Sequence, residues 1–481
     1  MNLYERVADE IASRIQDGYY ASGDKLPSIR AMSQEHHVSI ATVQEAYRLL
    51  EDRGLARARP KSGYYVTAPA PSPQLPGISR PAQRPLEVSQ WDEVTRLLFA
   101  PHSNSRQILG RGLPDVETAS LKPLQKLMSD ISRNIGARGL IYDDLRGVEE
   151  LRIQIARIMV DSGCRLHPDD LIVTSGCQEG LSISMRAVTK PGDVIAVDSP
   201  GFYGSMQTIR ANGLKVIEIP THPETGISIE ALELALEQWP ISTILVVPTY
   251  NNPLGYCMPD ERKQALLKLA ERYDLAIIED DIYGDLGYSY PRPRTLKSFD
   301  TEGRVLMCSS FSKTLAPGLR VGWVAPGRFR EQVLHQKYVS TAGSSSIPQL
   351  AVAEFIAQGY YERHLRKVRQ QYQRARDSVI PWIENYFPSG TRMTCPQGGF
   401  LLWIELPETV DSVTLNSRVM QYQIQIAPGV IFSASGKYRN CIRLNYAFPP
   451  DDNYHAAIKR VGDIATELAN HSANDQSAPG G

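Results

Sequence analysis

One lysine, Lys313, sits in the string SSFSKTLAPGLRVGW, with hydroxyls just before it and a guanidinium just after it. Two to three dozen residues earlier, LAII runs into Glu279-Asp280-Asp281, with Tyr283 close behind. Other short apolar runs end in a similar way. DLIVT leads to Ser175-Gly176-Cys177-Gln178, DVIAV to Asp198-Ser199-Pro200-Gly201-Phe202, and TILVV to Asn251-Asn252-Pro253. RVLMC leads to Ser309-Ser310 and then Lys313. In an open α/β sheet, ligands bind beyond the carboxyl ends of the strands, so these ends converge on one crevice.

The set defines a chemistry. A lysine amine condenses with an aldehyde. A carboxylate keeps a pyridine nitrogen protonated, and only as pyridinium is that ring an electron sink. Hydroxyls, N–H groups at a helix start and a guanidinium hold a phosphate. An aromatic side chain covers a ring face. Pyridoxal phosphate asks for all of these. Singly, each residue has a plainer reading: an arbitrary lysine is a solvated surface group, and a strand-end carboxylate is often a helix cap. Asp281 rivals Asp280, although the D-x-x-Y spacing to Tyr283 selects Asp280. Tyr203 rivals Phe202 as the stacking ring.

SSFSKTLAPGLRVGW, YNNPLGYCM, EDDIYGDL and TSGCQEGL resemble the fold-type I aminotransferases. PQGGFLLWIEL, APGVIF and CIRLNYAF follow in the same order, so the resemblance covers about residues 105–468. It implies a large α/β/α domain with a mixed, mostly parallel sheet, plus a small α+β domain. It also implies roles. Lys313 forms the aldimine with pyridoxal 5'-phosphate, Asp280 pairs with the pyridine nitrogen, and Asn252 and Tyr283 donate to the 3'-oxygen. Ser310, Ser312 and Arg320 bind the phosphate, with the backbone N–H groups of Gly176, Cys177 and Gln178. Phe202 stacks on the ring. Arg443 clamps the α-carboxylate of an incoming amino acid, and Gly112, in GRGLPD, adds a backbone contact. Tyr142, in IYDDLRGVEELR, reaches the partner subunit's cofactor phosphate. The thiol of Cys177 takes no part.

These residues need elements to carry them. From about residue 105, short apolar runs alternate with longer amphipathic stretches, the rhythm of an α/β fold with a mostly parallel sheet. The chain has 481 residues, too many for one ordinary domain. Six cysteines, none in a C-x-x-C pair, read as thiols of a reducing cytosol, and no metal is expected. The charged N-terminus lacks a signal-peptide core, and no apolar run approaches the ~20 residues of a membrane span. A cytoplasmic protein with no membrane partner is expected. Net charge is -1, so nucleic-acid binding must rest on a local patch.

Residues 1–67 supply that patch. Leu3, Val7, Ile11 and Ile15 recur every four residues, the stripe of a helix ending by Gly18. A second helix starts near Pro27. A third starts at Ser39, buries Val43, Ala46, Tyr47 and Leu50, and stops at Gly54. LARARPKSGYYV then forms a hairpin, or wing. Three helices and a wing make a winged helix-turn-helix, which lays a helix N-terminus in the major groove of double-stranded DNA and its wing on the backbone. KLPSIR, VSIATVQEAYRLLEDRG and RPKSGYYV resemble the GntR-type regulators. The resemblance carries their DNA contacts to Arg30, Ser39, Thr42, Gln44, Lys61 and Gly63. Many such regulators place arginine early in the recognition helix, where this chain has Ile40 and Ala41. Arg53, Arg57, Arg59 and Lys61 gather positive charge near the wing. The competing reading is a packing or dimerisation module.

Residues 68–104 open on six prolines in APAPSPQLPGISRPAQRP and read as an extended linker. Residues 105–470 form the aminotransferase-like domain, and 471–481 read as a disordered tail. A GntR-type head on such a body is similar to the MocR subfamily. That similarity implies a homodimer that senses an amino acid or amine at Lys313 and controls operator binding. The alternative is a working transaminase carrying a DNA-binding domain.

Overall fold

The structure, a computed structural model, describes all residues except 1–2, 17–18, 21–22, 60–61, 68–72, 100–106 and 477–481. Its residues cluster into two units, one built on the first 72 residues and the other on the remainder.

The first unit holds α1 (Leu3–Gln16), α2 (Ile29–Glu35) and α3 (Ile40–Asp52), then β1 (Ala56–Arg59) and β2 (Gly63–Val66). Ser28 and Ser39 start α2 and α3 by accepting the N–H groups of Ala31 and Thr42, so each helix begins where a hydroxyl can cap it. Val7, Ile11, Met32, Val43, Ala46, Tyr47 and Leu50 close one core. Each large apolar side chain among them contributes about 1.5–3 kcal/mol by leaving water. Leu3, in the first turn of α1, stays half exposed. The strands pair antiparallel from Ala56↔Val66 to Arg59↔Gly63.

The second unit is built on an eight-stranded sheet. In spatial order its strands are 172–174, 322–325, 305–310, 276–280, 241–246, 194–199, 215–222 and 226–227. The five strands from 305–310 to 215–222 run parallel. Gly322–Ala325 is antiparallel to both its neighbours, and Gly226–Ile227 is antiparallel to 215–222. Central strands such as Val194–Ser199 and Ala276–Asp280 are buried at every residue, which is why they read as unbroken apolar runs rather than alternating ones. A smaller antiparallel sheet, 392–393, 401–405, 441–445 and 427–428, completes the unit.

Two boundaries differ from the sequence reading. Much of the stretch expected as a linker lies on the second unit. Leu86 and Val216 exchange backbone hydrogen bonds at 2.8 and 2.9 Å. Ser89 donates twice to the carbonyl of Ala434, and Trp91–Phe99 is a helix that buries Val94 and Leu97. A few apolar side chains suffice to dock it, despite the prolines before them. The C-terminal helix runs Asp452–Gln476, so the first residues of the expected tail are helical, and 477–481 lie outside the described residues.

Candidate functional site

The strand ends of the large sheet open into a cavity of about 150 Å³. Lys313, Asp280, Tyr283 and Asn252 line it, with Phe202, Cys177, Gln178, Ser312 and Arg320. Leu181, Val247 and Ile282 supply apolar walls that the sequence reading did not name.

Lys313 follows strand Val305–Ser310 in a tight turn and donates from Nζ to the carbonyl of Gly112 at 2.5 Å. Burial, and then the charge of Arg443, push the amine down to about 8, against the pull of Asp280. Asp280 ends strand Ala276–Asp280. Its Oδ1 accepts from the N–H of Ile282 at 3.1 Å and from the thiol of Cys177 at 3.4 Å, and burial pushes the carboxyl up to about 6. The Cys177 thiol, assigned no part from sequence, therefore touches the key carboxylate. Asp281 is committed elsewhere, in a buried ion pair with Arg292.

Tyr283 is buried, and its Oη has no hydrogen-bond partner among the described residues. A Cβ on Gly112 would stand 3.3 Å from that oxygen and 3.8 Å from Nζ of Lys313, so the backbone of Gly112 lies against both. Arg443, fully buried in strand Cys441–Asn445, donates to Oδ1 of Asn252 at 2.8 Å and to the carbonyl of Gly110 at 2.5 Å. Its guanidinium lies 5.0 Å from the ring centre of Phe432 and 5.8 Å from that of Tyr203. Phe202 faces the cavity, whereas Tyr203 sits against the arginine.

Gly176 precedes helix Cys177–Val188 with φ 88, in the left-handed region. A Cβ there would fall 2.6 Å from the Arg320 guanidinium. That guanidinium donates to the Ser175 carbonyl, so a cation and a row of free helix N–H groups meet at one end of the cavity. Ser312 Oγ has no partner among the described residues. Ser310 is buried beside the turn, where its Oγ accepts the N–H of Ser312 at 3.2 Å and its hydroxyl hydrogen is left to donate. Tyr142 is 85% exposed and lies outside this cavity.

These features fit pyridoxal phosphate: an amine of lowered basicity, a buried carboxylate across the pocket, an unpaired phenol and an anion-binding end. The unpaired buried Oη of Tyr283 is the sharpest sign, because a buried hydroxyl without a partner costs about 1–3 kcal/mol.

In the first unit, Arg30, Ser39, Gln44 and Gly63 are exposed and Thr42 is half-buried. Ser39 and Thr42 hydroxyls lie 2.8 Å apart, so the cap partly occupies both. Ile40 and Ala41 stand exposed at the start of α3. Arg59 lies over the ring of Tyr65 at 4.1 Å, and Arg57 is exposed, while Arg53 is ion-paired with Asp9. Lys61 lies outside the described residues. Lys25, which the sequence reading passed over, bridges to Tyr65 and reaches the wing at Gly63.

Comparison with known proteins gives two family matches. Residues 108–461 match "Aminotransferase class I and II", and residues 3–66 match "Bacterial regulatory proteins, gntR family". An uncharacterized HTH-type transcriptional regulator, YjiR of Escherichia coli K12, is 52% identical over 96% of this chain and 98% of its own. Aromatic-amino-acid aminotransferase 1 of Thermococcus litoralis is 29% identical over 78% of this chain and 91% of its own. The crystal structure of Pyrococcus horikoshii kynurenine aminotransferase superposes with a TM-score of 0.71 at 30% identity, over 79% of this chain and 94% of that one. Among the described residues, no helix is long and apolar enough to cross a membrane.

Proposed function

The chain belongs to the aminotransferase class I and II family and carries a gntR-family regulatory domain, the MocR-type fusion, and from that premise we propose that it is a transcriptional regulator sensing an amino acid or amine at Lys313. The observation that carries this reading is the meeting of Lys313, Asp280 and the unpaired Tyr283 hydroxyl in one cavity.

Pyridoxal 5'-phosphate, the cofactor of the family, supplies an aldehyde carbon for amines and, as a pyridinium, an electron sink. Lys313 would hold it through its side-chain amine. Asp280 keeps the ring nitrogen protonated, Asn252 and Tyr283 serve the ring oxygen, and Phe202 covers a face. Arg320, Ser310, Ser312 and the N–H groups of Gly176, Cys177 and Gln178 would hold the phosphate. Arg443 takes the carboxylate of an incoming amino acid. The Gly112 carbonyl is an acceptor that Lys313 Nζ already uses, and it would hold the lysine amine beside the ligand. Ligand that prefers one arrangement of the protein shifts the balance between arrangements, and so operator affinity. Arg30, Ser39, Thr42, Gln44, Lys61 and Gly63 meet the DNA.

A homodimer belongs to this reading. Leu140, Ile141 and Tyr142 are three consecutive large side chains exposed at 89%, 67% and 85%, a patch suited to a second copy. Tyr142 there would reach the neighbouring cofactor phosphate.

The test is a spectral titration of the purified protein with common amino acids and amines, repeated with operator DNA. A visible-edge band that borohydride fixes to Lys313, together with ligand-dependent DNA affinity, supports the sensor. A colourless protein with no borohydride-fixed cofactor would overturn it. A working transaminase is the second reading, since Lys313, Asp280, Tyr283 and Arg443 are all in place. Rapid turnover with a keto acid and no ligand effect on DNA binding would favour it.

A further inference from the structure

Glu218 lies in strand Lys215–His222 and is fully buried. Its two oxygens go to two different segments of the chain. Oε1 accepts from Ser199 Oγ at 3.1 Å, and Oε2 accepts from Ser433 Oγ at 3.2 Å. Ser199 opens the turn that ends on Phe202, which faces the cavity. Ser433 follows Phe432, the ring beneath Arg443. One carboxylate thus ties the segment that covers the cofactor ring to the segment that backs the carboxylate clamp.

The same network reaches the N-terminal strap. The Ser199 hydroxyl is 2.6 Å from Tyr438 Oη. Ser79 Oγ accepts the N–H of Thr221 at 2.9 Å, and the Thr221 hydroxyl accepts the N–H of Ser199 at 3.0 Å. Beside Tyr438, Lys437 donates to the carbonyl of Arg80 at 2.6 Å. A route of hydrogen bonds through Thr221 therefore runs from Ser199 to Ser79, and Tyr438 with its neighbour Lys437 connects Ser199 to the same stretch at Arg80. The strap continues through Leu86, Val88 and Ser89. A buried carboxylate that loses a donor costs free energy, so the Ser199 and Ser433 segments cannot shift without their neighbours answering.

Resting on the pocket reading above, we propose that Glu218 is a positioning residue that couples the state of the pocket to strap residues 79–89, and through them to the chain leading to the DNA-binding unit. The site senses at Phe202 and Arg443, and the strap reads the change at Ser79 and Arg80.

The full-length protein is compared with pyridoxal phosphate and with pyridoxamine phosphate, by absorbance and by hydrogen exchange across 79–89. Exchange at Leu86 and Ser89 should differ at least about threefold between the two forms. Ser79→Ala and Tyr438→Phe should keep the band and the cofactor affinity yet lose that difference. Glu218→Gln, which keeps one acceptor oxygen, should retain part of the response, and Glu218→Leu none. Equal exchange in both forms, or a wild-type response in Ser79→Ala and Tyr438→Phe, overturns the coupling and leaves the pocket reading intact. No band in any form overturns both.

Discussion

Arg443 donates to Oδ1 of Asn252 at 2.8 Å, and both side chains are buried. The arginine thus orients an amide whose NH₂ is left for a ligand, while the Nε of Arg443 has no partner among the described residues. In the proposed function, carboxylate recognition and ring-oxygen recognition would be mechanically joined. Arg443→Lys keeps the charge but loses the fork. It should weaken binding of α-amino acids about 10–100-fold, and of amines without a carboxylate much less. Spectral titration with matched acid and amine pairs checks this.

Burial brings Lys313 down to about 8, so the amine is largely protonated at neutral pH and free above that value. Only the free amine attacks a carbonyl. In cofactor-free protein, the rate of borohydride-trappable attachment of pyridoxal phosphate should rise about tenfold per pH unit below 8 and level off above it. Lys313→Ala should show no attachment at any pH. A flat profile in the wild type would contradict the assignment.

Burial raises the Asp280 carboxyl to about 6. Between about pH 4 and 6 the folded, cofactor-free protein holds a proton that the unfolded chain has lost, so its stability falls as pH rises through that window. Asp280→Asn should therefore stabilise cofactor-free protein at pH 7.5, by up to about 3 kcal/mol, and leave it unchanged near pH 4. The same substitution should slow a transamination half-reaction about 100–1,000-fold, because the ring nitrogen loses its counter-charge. Melting curves across pH and single-turnover absorbance test the two halves.

On the DNA side, Arg59 stands exposed on the wing over Tyr65. Arg59→Ala should weaken operator and unrelated DNA alike and reduce the salt slope of binding by about 1. Ser39→Ala removes the cap of α3 and should cost about 1 kcal/mol of stability in the first unit. Anisotropy titrations over a salt series, with thermal melts, separate these effects.

Ile141→Asp places a charge in the exposed run Leu140–Tyr142. A dimer through this patch should dissociate at least about tenfold more readily in the variant, by sedimentation. An unchanged mass at every concentration would remove the patch from the interface.

The amino-acid sequence alone determined the elements and the chemistry they carry. Helical stripes such as Val43, Ala46, Tyr47 and Leu50, and apolar runs ending on Asp280 or Asn252, are local patterns, and local periodicity is what a linear chain displays. Lys313, Asp280 and Arg443 were legible as residue types set in specific strings. Tertiary structure decided how those groups are spent. It set the N–H of Ser312 on the Ser310 oxygen and the Cys177 thiol on Asp280. It also left Tyr142 outside the cavity. It docked residues 74–99 on the large unit through Leu86, Val88, Val94 and Leu97, too few and too irregularly spaced to announce a surface. Each of these contacts joins residues far apart in the chain. Such contacts carry no local signature, because burial and hydrogen bonding are settled by whichever surfaces the fold brings together.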